Sequence, residues 1–355
     1  MKGFALETRP GRRKIMVVTA TEGACVTRSG PIRRAADLAG KDLLTLTALS
    51  ARAVLDLFET AAAMKRSVGP FRLALDCKCV LLIFEKASLR TRLTFEAGVA
   101  KLGGQAVYMD HSVQRLGDRE AVKDYGRNLE RWMDGIVARV YSQKILEELA
   151  ANCDVPVINA LSDRFHPCQA LAGLFTLWER TDGTLKHEGE PIRVAFVGDG
   201  NNVCHSLMQA CTMLGADVTV IGPKGSQPDG GIVEECEALG AVSGAKVNVT
   251  TDLSAVRGHH AVYTDVWVSM GQADTAGKRR RVFNPYQVNA ELMSKASAGL
   301  PASWGQALFM HCLPAQRGVE VTDEVIDAPT SVVYDQAENR MHVQNALLYH
   351  VLGSE

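Results

Sequence analysis

Short apolar runs alternate with stretches of helical periodicity along most of the chain, and this alternation limits the fold more than any other feature. Val80–Phe84, Asp217–Ile221 and Leu308–His311 have the length of buried strands, and helical patterns separate them. Strands that alternate with helices form a parallel sheet with helices on both faces. One core rarely exceeds about 250–300 residues. For 355 residues we therefore expect an α/β fold with two doubly wound parallel-sheet domains joined by interdomain helices.

The same patterns give the element and domain boundaries. Further strands are predicted at 106–109, 135–141, 155–159, 192–197, 247–249, 261–264 and 331–334. Helices are predicted at 89–102, 118–133, 144–151, 165–181, 203–214, 231–239 and 339–352. We assign 39–164 together with 340–355 to one domain, and 165–339 to the other.

Residues 1–38 differ from the rest because arginine and lysine outnumber the acids there and no periodicity is present. A flexible N-terminal extension is the favoured interpretation. A transit peptide, which is also basic and contains serine and threonine, is the alternative.

Composition excludes several classes of partner. The net charge of −1 gives no broad field for nucleic acid or a membrane surface. No apolar run reaches the roughly 18 residues that a membrane span needs. The nine cysteines are scattered and form no C-x-x-C pair, which favours free thiols in a reducing compartment. We therefore expect a cytoplasmic protein.

An anion site is predicted where the strand ending at Phe84 leads into the next helix. Ser88 is a favourable N-cap, so Leu89–Arg92 would form the first helical turn with unpaired N–H groups. These donors and the positive end of the helix dipole attract an anion. Arg90 and Arg92 add forked, permanently charged donors that suit a phosphate.

Other polar residues follow the predicted strands at the same edge of each sheet, where ligands of open parallel sheets bind. Arg139 lies late in its strand, and His166 and Gln169 flank Pro167 at a helix entrance. Asp265 follows another strand and could hold an amine through a charge-assisted hydrogen bond. His311-Cys312-Leu313-Pro314 follows the next strand, and Arg340 lies near the start of the last helix. Together these residues suit a small phosphate-bearing acyl donor and an amine.

Two other site types are disfavoured. Gly198-Asp199-Gly200 opens a helix after a strand, but Val203 replaces the third glycine of a dinucleotide loop and no ribose-binding acid follows the next strand. His311 and Cys312 are adjacent, which does not suit a nucleophile and its base, and no second ligand pair has zinc spacing.

Four motifs in this order resemble the ornithine branch of the aspartate/ornithine carbamoyltransferase family. The motifs are Ser88-Leu89-Arg90-Thr91-Arg92, His166-Pro167-Cys168-Gln169, Asp265-Val266-Trp267-Val268-Ser269-Met270-Gly271 and His311-Cys312-Leu313-Pro314. The resemblance covers the chain from about Leu43 to Leu352. It implies carbamoyl transfer from carbamoyl phosphate to L-ornithine, without a metal or organic cofactor, by a homotrimer with active sites at subunit interfaces.

The resemblance also implies roles for individual residues. Those for carbamoyl phosphate are Ser88, Leu89, Arg90, Thr91, Arg139, His166, Gln169, Cys312, Leu313 and Arg340. Those for L-ornithine are Asn202, Asp265, Ser269 and Met270. The implied catalytic groups are Arg90, Thr91, Arg139, His166, Asp265 and Cys312.

Three positions depart from the family pattern. Leu89 and Gln316 stand where many relatives have threonine and histidine, and Gly173 stands where an aspartate is usual. The alternatives that stay open are a carbamoyltransferase for another amine, such as putrescine or a modified ornithine, and a non-catalytic anion-binding relative.

Overall fold

The computed structural model describes residues 34–267 and 276–353. Within these residues the strands are β1 (Cys79–Phe84), β2 (Gln105–Asp110), β3 (Gly135–Arg139), β4 (Val157–Leu161), β5 (Lys186–His187), β6 (Glu190–Pro191), β7 (Arg193–Val197), β8 (Asp217–Ile221), β9 (Val247–Thr250), β10 (Ala261–Thr264) and β11 (Leu308–His311). The α-helices are α1 (Ala51–Arg66), α2 (Leu89–Lys101), α3 (Val122–Leu129), α4 (Gln143–Ala151), α5 (Pro167–Arg180), α6 (Asn202–Met213), α7 (Gly230–Ser243), α8 (Ala276–Phe283), α9 (Ala290–Ser297), α10 (Asp323–Ile326) and α11 (Val333–Leu352).

Two parallel sheets confirm the predicted fold class. The first sheet has the strand order β2-β1-β3-β4, and the second has the order β11-β10-β7-β8-β9. All pairs within these two sheets are parallel, and helices follow most strands. Only the two-residue strands β5 and β6 pair in the antiparallel sense among the described strands.

Each sheet reverses its strand order at one point, and such a point forms a crevice at the carboxyl ends of the strands. In the first sheet the reversal lies between β1 and β3, where Phe84 pairs with Arg139 at the carboxyl ends. In the second sheet it lies between β7 and β10. The topology therefore offers one ligand crevice per sheet.

The N-terminus of α2 forms as its sequence predicts. Ser88 has an extended backbone, and its hydroxyl accepts a hydrogen bond from the N–H of Thr91. This bond is the normal contribution of an N-cap serine. The helix ends at Lys101, and Gly103 then takes a φ of +89°, which glycine adopts without strain.

Helices α5 and α11 connect the two sheets. One apolar cluster includes Leu82 from the first sheet, Leu171 from α5, Phe196 from the second sheet and Val343 from α11. Helix α11 approaches α2 closely at Gly98, where a Cβ atom would overlap Asn345 Oδ1. This packing holds the second half of α11 against α2, the helix that follows β1.

The predicted N-terminal extension is described only in its last five residues. Arg34 donates to the carbonyl oxygen of His350, and the N–H of Ala35 donates to His350 Nδ1 over 2.9 Å. Leu38 is buried. Residues 1–33 lie outside the described residues, and the proposed domain boundaries stay a prediction.

Several predicted elements differ from the structure in type or extent. The last helix begins at Val333 and not at 339, α7 ends at Ser243 and not at 239, and β3 ends at Arg139 and not at 141. Residues 331–334 were expected to form a strand, but only Ser331 forms a bridge, to Phe309, and α11 begins at Val333. Buried tertiary packing of α11 overrides the β preference of the valines there. The helix expected at 118–133 spans only Val122–Leu129. It cannot begin at Asp118 because a turn joins Asp118 to Arg115 through hydrogen bonds in both directions.

Candidate active site

The first turn of α2 lies at the crevice of the first sheet. The N–H groups of Thr91 and Arg92 donate to the side chain and carbonyl oxygen of Ser88. The N–H groups of Leu89 and Arg90 precede them in the first turn, where a helix offers no internal acceptor. Leu89 is 69% exposed, so the side chain that departs from the family pattern lies largely in solvent, while its backbone N–H belongs to the first turn of α2.

Arg92 does not belong to this pocket, which corrects the expectation that it would assist Arg90. Its guanidinium donates to Glu96 over 2.9 Å and stacks 3.6 Å from the ring centroid of Tyr108. The side chain is exposed. Helical geometry explains the difference, because residues two apart in a helix point in different directions.

Three arginines from different parts of the fold meet at the crevice. Arg90 comes from α2, Arg139 from the end of β3 and Arg340 from α11. Burial and the charges of Arg340 and Arg90 lower the pKa of Arg139 to about 10. Burial also lowers the pKa of Arg340 and of Arg90. The pocket therefore concentrates positive charge that no described carboxylate neutralises through an ion pair.

Arg340 connects the residues of this pocket. Its Nη1 donates to Gln169 Oε1 over 2.6 Å, and its Nη2 donates to Thr91 Oγ1 over 2.8 Å. The same Nη2 lies 3.3 Å from His166 Nε2. Because a guanidinium can only donate, Nε2 accepts this bond and the ring carries its proton on Nδ1.

His166 is neutral in this environment. Its side chain is buried, and burial together with Arg340 and Arg139 holds the pKa of the imidazole well below its ordinary value of 6.5. A neutral histidine can donate from Nδ1 without adding charge to the cluster of arginines.

Several buried polar atoms of the pocket have no partner within the described part of the chain. They are Arg139 Nε, Arg340 Nε and His166 Nδ1. A buried donor without an acceptor costs about 1–3 kcal/mol. An anionic ligand with several oxygen atoms would satisfy such donors.

The crevice of the second sheet holds a carboxylate that receives several hydrogen bonds. Asp265 follows β10, and its Oδ1 accepts from Cys312 Sγ over 2.7 Å and from the N–H of Val266 over 2.8 Å. Its Oδ2 accepts from Asn201 Nδ2 over 2.8 Å. Burial and the neighbouring carboxylate hold the pKa of the Cys312 thiol well above its ordinary value. The pair is thus a carboxylate and a protonated thiol.

The two crevices are close enough for their charges to interact. The charge of Asp265 raises the pKa of Arg139, although burial and the other arginines outweigh it. A small ligand held by the arginines would therefore lie near the carboxylate–thiol pair.

The other residues expected in the site are placed as follows. Asn202 uses its Nδ2 to donate to the carbonyl oxygen of Ser162 over 2.6 Å. The N–H of Leu313 donates to His311 Nδ1 over 2.8 Å. Ser269 and Met270 lie outside the described residues.

The side chains of one cluster, formed by Asp265, His311 and Cys312, offer possible metal-ligand atoms within 4.8 Å of one another. Whether they could bind a metal depends on the hydrogen bonds that these atoms already make. The Cys312 thiol donates to Asp265, whereas a zinc ligand is a thiolate. His311 Nδ1 accepts from Leu313, and His311 Nε2 lies 3.2 Å from Glu320 Oε1. Both histidine nitrogens are thus committed to hydrogen bonds within the protein.

Sequence reasoning missed several residues that support the site. Asn201 Nδ2 donates to Asp265 Oδ2, whereas the resemblance implied a role in binding L-ornithine for Asn202 alone. Tyr263 and Gln336 extend the hydrogen bonds of Gln169 into the interior. No local motif distinguishes these residues, since a strand tyrosine and a helix glutamine have many other uses.

Two of the departures have structural accounts. A Cβ atom on Gly173 would lie 3.1 Å from Tyr263 Cε2 and 3.5 Å from Gln336 Nε2, so these side chains occupy the room that an aspartate would need. Gln316 is exposed, and its backbone N–H donates to Glu320. That position therefore supports its loop through the main chain.

The fold and the site define a class: a two-domain α/β protein whose cationic, anion-accepting crevice adjoins a carboxylate–thiol pair. Residues 41–179 match the family described as "Aspartate/ornithine carbamoyltransferase, carbamoyl-P binding domain", and residues 190–351 match "Aspartate/ornithine carbamoyltransferase, Asp/Orn binding domain". The chain belongs to the aspartate/ornithine carbamoyltransferase family.

Relatives with similar sequences carry the name ornithine carbamoyltransferase. The protein of Shewanella oneidensis is 47% identical over 308 residues, which are 87% of this chain and 98% of the relative. The relative from Pyrococcus furiosus, named as anabolic, is 47% identical over 319 residues, 89% of this chain and 98% of its own.

Solved structures that are similar to this chain also carry the name ornithine carbamoyltransferase. Ornithine carbamoyltransferase from Pyrococcus furiosus gives a TM-score of 0.82 at 46% identity, over 89% of this chain and 98% of that chain. Ornithine carbamoyltransferase from Thermus thermophilus gives a TM-score of 0.76 at 42% sequence identity, and the match covers 88% of this chain and 98% of that chain. No helix in the described residues is long and apolar enough to cross a membrane.

Proposed function

We propose that this protein is an ornithine carbamoyltransferase. It transfers the carbamoyl group of carbamoyl phosphate to the side-chain amine of L-ornithine and releases L-citrulline and phosphate. One observation carries the proposal: three buried arginine and histidine atoms without partners lie beside the Asp265–Cys312 pair. This arrangement suits an anionic acyl donor next to a cationic amine. The names of the relatives support the same substrates.

The phosphate end of the donor binds to the first turn of α2 and to the arginines. The free N–H groups near Leu89 and the guanidinium groups of Arg90 and Arg139 supply donors for its oxygen atoms. Ser88 holds the turn through its bonds to Thr91. A phosphate there offsets the repulsion among the arginines.

The carbamoyl end binds to α5 and α11. Thr91, Arg139 and His166 direct hydrogen-bond donors at the carbonyl oxygen, and Gln169 accepts from the carbamoyl –NH₂ group. Arg340 bonds to Thr91 and Gln169 and so fixes this set. The main chain at Cys312 and Leu313 closes the pocket.

The ornithine end binds at the second sheet. Asp265 and Cys312 orient the side-chain amine, which arrives as an ammonium and releases one proton to solvent before the free amine attacks. Asn202, Ser269 and Met270 hold the other end of ornithine. The carboxylate already accepts three hydrogen bonds, so the amine replaces or shares some of them.

The chemical step is direct attack of the free amine on the carbamoyl carbon. The tetrahedral intermediate places negative charge on the former carbonyl oxygen, where the preorganised donors stabilise it. Removing one such donor typically lowers the rate by about 10²–10³. The C–O bond to phosphate then breaks, and the departing phosphate accepts the proton that the amine nitrogen loses.

We further propose a homotrimer with active sites at subunit interfaces. Leu89 and Leu93 lie one turn apart on α2 and are 69% and 52% exposed, and Val107 and Val113 are exposed on and after the edge strand β2. Exposed apolar patches of this kind often mark interfaces. Light scattering should give the mass of a trimer, and the mass of a single chain would contradict the proposal.

The cellular role follows from the proposed reaction. We propose that the protein is cytoplasmic and acts in arginine biosynthesis, which agrees with the name of the Pyrococcus furiosus relative. We also keep the division into residues 39–164 with 340–355 for carbamoyl phosphate and 165–339 for ornithine.

A panel of amines tests the function. Citrulline formation from carbamoyl phosphate and ornithine is measured beside putrescine, aspartate and N-acetylornithine at equal concentration. We expect strong selectivity for ornithine. Turnover of putrescine or N-acetylornithine instead would remain consistent with the assignment of the carbamoyl phosphate pocket. It would contradict the assignment of ornithine as the acceptor. No turnover with any amine would indicate a binding protein.

A further inference from the structure

Gln169 has one amide group that must serve two sides of the pocket. Its Oε1 accepts from Arg340 Nη1 over 2.6 Å, and its Nε2 donates to the hydroxyl of Tyr263 over 3.1 Å. An amide rotated by 180° would bring its –NH₂ group against a guanidinium, and two donors would then face each other. Arg340 therefore permits one orientation of the amide, and the Tyr263 hydroxyl accepts from the –NH₂ group in that orientation and fixes its position.

Tyr263 is built to accept this hydrogen bond. It lies on β10 with its side chain fully buried, and Gln336 Nε2 on α11 donates to the same hydroxyl over 2.6 Å. The phenol oxygen thus receives an N–H from two glutamines. Burial keeps the pKa of this phenol well above its ordinary value of 10, so it remains a neutral hydroxyl at every working pH.

The space for this arrangement comes from Gly173, one helical turn beyond Gln169 on α5. A Cβ atom there would lie 3.1 Å from Tyr263 Cε2, which is tighter than normal packing. The ring packs against Phe196 on its other side, with ring centroids 5.8 Å apart. A side chain at 173 would therefore push the hydroxyl of Tyr263 away from Gln169.

We propose that Tyr263 is a positioning residue that, supported by Gln336 and by the space at Gly173, holds the Gln169 amide oxygen toward the carbamoyl –NH₂ group. The inference rests on the proposed function, because it concerns the donor of that reaction. It deepens the function by giving a reason why the site selects an acyl phosphate with an –NH₂ group.

The first test is Tyr263→Phe, which removes the hydroxyl and keeps the ring. A neutral hydrogen bond contributes about 0.5–1.5 kcal/mol, so we expect KM for carbamoyl phosphate to rise about two- to twelvefold. The KM for ornithine and the inhibition constant of inorganic phosphate should change less than about twofold, since phosphate lacks the group that Gln169 contacts. This split distinguishes positioning from a general loss of structure.

Matched variants complete the test. Tyr286→Phe removes another tyrosine hydroxyl, which donates to the carbonyl oxygen of Thr251 in a different loop, and should leave all three constants unchanged. Gln336→Met removes the second donor to Tyr263 and should raise KM for carbamoyl phosphate about threefold. Gly173→Ala should act in the same direction. If Tyr263→Phe does not fold, Gln336→Met and Gly173→Ala test the positioning role through the same KM values and phosphate inhibition constant.

Three outcomes would overturn the inference. Unchanged KM for carbamoyl phosphate in folded Tyr263→Phe and Gln336→Met would do so, while wild-type citrulline formation would leave the proposed function intact. Equal weakening of carbamoyl phosphate and inorganic phosphate would show a collapsed pocket rather than a misplaced amide. No citrulline from the wild-type chain would overturn both the function and the inference.

Discussion

The two crevices of this protein differ in how they treat their own polar groups. Among the residues that the structure describes, the arginine crevice leaves buried atoms such as Arg139 Nε and His166 Nδ1 without partners and brings like charges together. The Asp265 crevice satisfies its carboxylate through Cys312, Val266 and Asn201. One crevice is incomplete without a ligand, and the other is already complete.

The difference shows how the binding energy is divided. A ligand of the arginine crevice satisfies unpaired donors and relieves repulsion, so it gains from contacts that the protein lacks by itself. A ligand of the Asp265 crevice exchanges existing hydrogen bonds for new ones, so its net gain is smaller. We therefore expect substitutions in the first crevice to have the larger effects.

The largest effect is expected for Arg90→Ala. The variant loses a charged donor to the phosphate, and kcat/KM for carbamoyl phosphate should fall by about 10²–10³. The KM for ornithine should change little. Saturation curves for both substrates provide the measurement.

Arg180→Ala is the matched control because it removes an arginine whose pair with Asp335 is exposed on the surface. It should leave both saturation curves near those of the wild type. If Arg90→Ala saturates with carbamoyl phosphate as the wild type does, the phosphate assignment is wrong, and the contrast between the crevices loses its basis.

A smaller effect on the opposite substrate is expected for Asp265→Ala. The ornithine amine loses its carboxylate partner, and kcat/KM for ornithine should fall by about 10², within the range for a charge-assisted contact. Inhibition by inorganic phosphate against carbamoyl phosphate should persist unchanged. A variant that loses phosphate inhibition instead would show that the crevices do not act separately.

The smallest effect concerns the pH dependence of stability. The folded protein holds the pKa of His166 well below 6.5, so the unfolded chain binds more protons just below that pH. This contribution to stability is present above pH 6.5 and is lost as the pH falls below it, by at most about 1.4 kcal/mol per pH unit.

Urea unfolding at pH 7.0, 6.0 and 5.5 should therefore show a shallower loss of stability for His166→Gln than for the wild type. The comparison removes the contributions of other histidines, which both chains share. Equal slopes would mean that neither burial nor the charges of Arg340 and Arg139 lower the pKa of His166 in the folded protein.

Most of the fold could be predicted because its signals are local. The strands β8, β10 and β11 have the predicted bounds, and Ser88 caps α2 as its chemistry requires. The late start of α3 comes from a local turn between Arg115 and Asp118, whereas the error at 331–334 arose where distant contacts outweigh local preference. Val333 prefers a strand by itself but begins the buried helix α11.

The site was only partly predictable for the same reason. Arg139, His166 and Asp265 follow strands, so the general rule for parallel sheets brought them together. Arg92 has the same chemistry and spacing as Arg90 but points to Glu96. Tyr263 and Gln336 have no ligand-like signal in the sequence.

The sequence by itself determined the α/β class, the order of the strands and helices, and the residue types that a phosphate and an amine require. Periodicity and capping depend on neighbours within a few residues, so one chain carries that information. Only the tertiary structure decided which hydrogen bonds are made. Arg340 meets Thr91 and Gln169 across 249 and 171 positions of the chain, and packing between sheets and helices sets such distances.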